Sequence, residues 1–116
     1  MKTVLLIDDS PIQAAARKGV LETAGFAVLV ATDALTALQT LKTSKPIDGV
    51  VTDHVMPEVS GAEFVRMLRA VDRDVPVLVI SGMAAAEEEY ADLNVTFKLK
   101  PLPPPELIAT VNSMLG

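Results

Sequence analysis

Asp8 and Asp9 stand side by side directly after the apolar run Val4-Leu5-Leu6-Ile7, and a third carboxylate, Asp53, directly follows Val50-Val51-Thr52. A hydroxyl, Ser81, follows Val77-Leu78-Val79-Ile80 and precedes Gly82, and Lys100 stands before Pro101 after a further apolar segment. Carboxylates gathered in one place can hold a hard divalent cation, Mg2+ above all, because such an ion takes carboxylate and carbonyl oxygens while keeping several waters. Lys100 offers the other positive charge, a compact ammonium on a flexible stem. One of the two is needed, since crowded like charges raise a carboxyl pKa or destabilise the fold. Singly, each feature is ordinary: an Asp pair begins many helices, a lone strand-end Asp is a cap, and a lone Lys is a solvated charge. Their joint placement is the signal.

That placement requires elements that bring distant segments to one edge. Four apolar runs have strand length: Thr3–Ile7, 26–30, 49–52 and 77–80. They are rich in β-branched residues and continuous rather than alternating, as strands covered on both faces are, which predicts a parallel sheet. Between them run segments with helical rhythm, such as Ala34, Leu38 and Leu41, or Phe64, Leu68 and Val71. Ser10 is suited to cap the first helix, with Pro11 in its first turn and Gly25 after its last. Ser60 with Glu63 three residues on forms a capping-box pattern. A final helix is predicted over 105–115, with Leu107, Val111 and Met114 on one side; prolines are tolerated at its start because first-turn N–H groups lack intrahelical partners. A fourth helix over 84–93 and a fifth strand over 95–99 complete the alternation, which implies an open α/β sheet. Glu87-Glu88-Glu89 reads as a solvated face that suits a helix start. In such sheets ligands gather beyond the carboxyl ends of the strands, where Asp8, Asp9, Asp53, Ser81 and Lys100 all fall.

With 116 residues, half of them hydrophobic and 22% charged, the chain has the size and composition of one globular domain. Its apolar runs fall short of the ~20 residues of a membrane span, and its first residues lack the pattern of a secretory signal. The absence of cysteine excludes disulfides and thiolate metal sites and fits a cytoplasmic setting. A formal charge of −5 disfavours nonspecific attraction to nucleic acid or anionic membrane, leaving proteins, metal ions and small molecules as partners.

The chain resembles the receiver domain of two-component response regulators. The matching pieces run in order over essentially all of it: Asp8-Asp9, Asp53 in the stretch DHVMPEVSG with Met56, Pro57 and Gly61, then Ser81-Gly82, and Lys100-Pro101. The resemblance implies an open, doubly wound, five-stranded parallel sheet in the flavodoxin-like order 2-1-3-4-5, with helices on both faces. It implies that Asp53 is the phosphoacceptor, that Asp9 binds Mg2+ directly and Asp8 chiefly through water, and that the Val55 carbonyl supplies a further ligand. It assigns Lys100 and the Ser81 hydroxyl to phosphoryl oxygens, with help from the Gly82 N–H, and it implies a cis Lys100-Pro101 bond. The partners implied are a sensor histidine kinase or phosphotransfer protein and a downstream protein, with no direct nucleic acid, no membrane, and a monomer or phosphorylation-linked dimer. The expectation is a stand-alone receiver over residues 1–116 with no output domain: a phosphoacceptor that assists its own Mg2+-dependent phosphorylation and dephosphorylation rather than an enzyme. The chemistry agrees, since phosphoryl transfer through a loose transition state relies on positioning and charge neutralisation, and a carboxylate nucleophile forms an acyl phosphate.

Several residues depart from the family pattern. The segment from Ser81 to Lys100 is short, so a truncated fourth helix is expected, and Asp92-Leu93-Asn94 replaces the usual Gly-Ala-Asp turn. Phe97 occupies the switch-aromatic position, where without a hydroxyl it relies on packing alone; a plain core or edge-strand Phe is the alternative. His54, the single histidine, is read as an exposed loop residue, because neighbouring strand-end side chains point to opposite sides and a hard-cation site does not call for nitrogen. Apolar Val55 and Met83 flank the path of attacking water, which implies slow loss of phosphate from Asp53. Rival readings include a pseudo-receiver that binds proteins without phosphorylation, and a haloacid-dehalogenase-like phosphatase, which would want a DxD motif on its first strand where this chain has DDS. A flavin carrier would want a hydroxyl- and Gly-rich phosphate loop where DDSPIQ presents negative charge.

Overall fold

The computed structural model describes residues 1–43 and 46–116. Strands β1 (Thr3–Ile7), β2 (Ala27–Ala31), β3 (Gly49–Asp53), β4 (Val77–Ser81) and β5 (Thr96–Leu99) form one parallel sheet in the order β2-β1-β3-β4-β5. Helices α1 (Pro11–Thr23), α2 (Ala34–Thr43), α3 (Gly61–Val71) and α4 (Pro104–Leu115) lie between and after the strands. In place of an α-helix between β4 and β5 runs a seven-residue 3-10 helix, Ala84–Tyr90. The expected fold is therefore present, with the fourth helix both shorter and more tightly wound than 84–93 and the second strand set one residue later than 26–30.

Strand alternation sorts the core into two layers. Leu5, Ile7, Val50, Val77 and Val79 meet Ala34 and Ala37 of α2, Phe64, Val65 and Leu68 of α3, and Tyr90. From the other side, Val4, Leu6, Val51, Leu78 and Ile80 meet Leu21 of α1 and Leu107 and Val111 of α4. All five residues of β3 and of β4 are buried, which explains their unbroken apolar sequence.

The helix ends follow their local chemistry. The Ser10 hydroxyl accepts from the Gln13 N–H, Pro11 opens α1, and Gly25 adopts φ 95°, a left-handed conformation that favours glycine. At α3 both halves of the Ser60–Glu63 capping box form. Asp92 and Asn94 both have positive φ ahead of β5, and Arg69 fastens this turn by donating to the Leu93, Asn94 and Val75 carbonyls at 2.8 Å each.

Candidate functional site

Register brings the chemistry to one edge. Ile7 pairs with Thr52, so Asp8 and Asp53 end adjacent strands; Asp53 pairs with Ile80, and Ser81 with Leu99, which sets Lys100 one step beyond. The Lys100 N–H donates to the Ser81 carbonyl at 2.7 Å, and the Lys100-Pro101 bond is cis.

Asp8, Asp9 and Asp53 each bring a carboxylate oxygen to within 4.8 Å of the others, Asp8 and Asp53 buried and Asp9 exposed. An all-oxygen, anionic donor set of this kind fits a hard divalent cation. The Lys100 Nζ lies 3.0 Å from Asp53 Oδ1. Burial pushes the Asp8 carboxyl above the usual carboxylate range and the Asp53 charge adds to the rise; the Ser10 N–H and the Arg17 guanidinium oppose it. Ser81 is buried, but its hydroxyl is turned to the neighbouring loop, accepting from the Met83 N–H at 2.9 Å. Gly82, Val55 and Met83 are exposed at the rim.

Arg17 is a member of this site that the sequence reading did not include. Its Nη1 donates to Asp8 Oδ2 at 2.9 Å and reaches Asp53 Oδ1 at 3.4 Å. The signal was in α1: its buried residues are Ala14 and Leu21, and position 17 lies three residues after one and four before the other, so an arginine stands on the inward stripe.

His54 corrects the reading of an exposed loop residue, for its side chain is buried. It points away from Asp53 as strand alternation requires, but into the layer beneath α3, where Tyr90 Oη lies 2.6 Å from Nδ1 and Glu89 Oε2 lies 3.5 Å from Nε2. Burial raises the Tyr90 pKa, so the phenol stays protonated, and its Oη shares a hydrogen bond with His54 Nδ1. Tyr90 also packs on Phe97 at 5.9 Å between ring centroids, leaving Phe97 partly buried on β5. Glu89, though half exposed, is thus not purely a solvated-face residue.

A family model for the response regulator receiver domain matches residues 4–112. The transcriptional regulatory protein PrrA of Mycobacterium tuberculosis is 34% identical over 117 residues, covering 98% of this chain and 49% of PrrA. The response regulator MprA of Mycobacterium leprae is 30% identical, covering 99% of this chain and 51% of MprA. This chain therefore spans about half the length of these relatives. Among solved structures, the chemotaxis response regulator CheY4 of Vibrio cholerae superposes with a TM-score of 0.88 at 28% identity, covering 98% of each chain. A response regulator receiver protein from Sinorhizobium medicae superposes with a TM-score of 0.85 at 33% identity, covering 98% of this chain and 94% of the other.

Proposed function

The chain belongs to the response regulator receiver domain family, and from that membership we propose that it accepts a phosphoryl group on Asp53 from a phosphohistidine of a sensor kinase or phosphotransfer protein. The observation that carries this reading is the Asp53 carboxylate itself, held 3.0 Å from Lys100 and grouped with Asp8 and Asp9 within 4.8 Å. An Asp53 oxygen attacks phosphorus, the P–N bond to the donor imidazole breaks, and an acyl phosphate forms. Lys100 neutralises a phosphoryl oxygen; the Ser81 hydroxyl, released from the Met83 N–H, donates to another, and the Gly82 N–H assists. Asp8, Asp9, Asp53 and the Val55 carbonyl would hold Mg2+, which supplies charge neutralisation for the transferring group when bound. The new contacts shift the population of the Ser81–Met83 loop, the 3-10 helix and β5, where Phe97 lies, and so alter a protein-binding surface.

This is a signalling phosphoacceptor of the cytoplasm rather than a turnover enzyme, and among the described residues no helix is long and apolar enough to cross a membrane. Because one relative is named a transcriptional regulatory protein and extends well beyond the matched region, the downstream partner in this proposal includes a transcription-regulating segment of a longer chain. The test is incubation with Mg2+ and a small acyl or amido phosphate donor, read by intact mass. A phosphate-sized gain that Asp53→Asn abolishes is expected; equal labelling of the variant would remove the assignment, and no labelling of the parent would favour the pseudo-receiver.

A further inference from the structure

Arg17 occupies an unusual place for a cation in an acidic site, because it comes from the buried stripe of α1 and not from a strand end. Its side chain is only 15% exposed, and a single nitrogen, Nη1, spans Asp8 Oδ2 and Asp53 Oδ1. The other Asp8 oxygen already accepts the Ser10 N–H at 2.9 Å, so both oxygens of this carboxylate are engaged. Asp53 Oδ1 is shared between Arg17 and Lys100. Three carboxylates against two cations leave one net negative charge, where Lys100 alone would leave two. A divalent ion entering beside both cations would turn the site positive until a phosphoryl group arrived.

We infer that Arg17 is a resident counter-cation that competes with divalent metal for Asp8 and Asp53, holding the resting site in a weakly metal-binding state. The inference rests on the proposed phosphoacceptor site but concerns its metal equilibrium. A guanidinium cannot lose its proton to make way, so metal must either displace the side chain or bind against its charge. At separations of a few ångströms in a partly buried site, one unit charge changes the affinity of a dication by an order of magnitude or more.

The test measures Mg2+ and Mn2+ binding directly, by isothermal titration calorimetry on the full chain without any phosphate donor. Arg17→Leu should bind either ion at least about tenfold more tightly than the parent. Arg17→Gln, which keeps a donor for Asp8 while losing the charge, should move in the same direction and decides the matter alone if the Leu variant does not fold. Unchanged or weaker metal binding in the folded variant overturns the inference, and it would mean that Arg17 serves only to stabilise Asp8. Absence of phosphorylation in the mass assay would instead count against the function and leave this measurement standing.

Discussion

Burial acts on the Asp8 carboxyl more strongly than either the Ser10 N–H or the Arg17 guanidinium, so its charged form is disfavoured even with both partners in place. The sign of the consequence follows from linkage. A carboxyl whose folded pKa lies above its unfolded value binds its proton more tightly in the native state, so its contribution to stability falls as pH rises from about 4 through the raised value. The ionised form of Asp8 is therefore the one that burial strains, and a bound cation would relieve it. Replacing Asp8 by Asn keeps an acceptor for Ser10 and removes the charge. In buffer with chelator, urea unfolding at pH 7 should find Asp8→Asn more stable by about 1 kcal/mol, in keeping with the trade between stability and activity at functional sites. The advantage should shrink towards pH 4, where the parent residue is itself protonated. A less stable variant at pH 7 would mean that the ion pair with Arg17 outweighs burial.

At the scale of elements, the 3-10 helix Ala84–Tyr90 is the part whose form the sequence concealed. Ala84 to Glu88 are good helix formers, yet the segment is short, and isolated turns of this length gain little from propensity. What fixes it is tertiary: Ala86 and Tyr90, four residues apart, are its buried residues, and Tyr90 is anchored on His54 beside Asp53. Gly61 makes room for that anchor, since a Cβ there would fall against Tyr90 Oη and within 2.8 Å of the Asp53 carbonyl oxygen. Tyr90→Phe would keep the ring contact with Phe97 and leave His54 Nδ1 buried without its hydrogen-bond partner, which should cost about 1–3 kcal/mol in denaturant unfolding. A change below about 0.5 kcal/mol, the range of an ordinary surface substitution, would show that the hydrogen bond does not hold the segment. The strands, by contrast, were legible because β3 and β4 are buried on both faces and their sequence has no other explanation. Asp8, Asp9, Asp53 and Lys100 were legible because each ends a strand. Arg17, His54 and Tyr90 were not, because their partners lie on different elements and local pattern does not say which helix covers which strand end. Arg17 alone left a trace, as a charge on an otherwise inward stripe.

The whole molecule distributes its stability unevenly, and the unevenness lies along the route by which the site would act. Central strands β1, β3 and β4 are almost wholly buried, each large aliphatic side chain contributing on the order of 2 kcal/mol. On one side of them the sheet ends in β5, a four-residue edge strand with no fully buried residue, preceded by a 3-10 helix that buries two. Regions with few buried apolar contacts open at the lowest free energy. The Ser81 hydroxyl accepts from the Met83 N–H in this soft margin, and under the proposed function it would link the margin to the acidic site. If phosphate on Asp53 draws that hydroxyl inward, the Met83 N–H loses its acceptor and the loop, the 3-10 helix and β5 must readjust together, while β1 and β3 have no alternative packing to adopt. Hydrogen exchange of the phosphorylated and unphosphorylated chain should therefore differ over residues 82–99 and agree within β1 and β3. Changes confined to α1 and α2, with 82–99 unaffected, would place the switched surface on the opposite side of the sheet and break the link through Ser81.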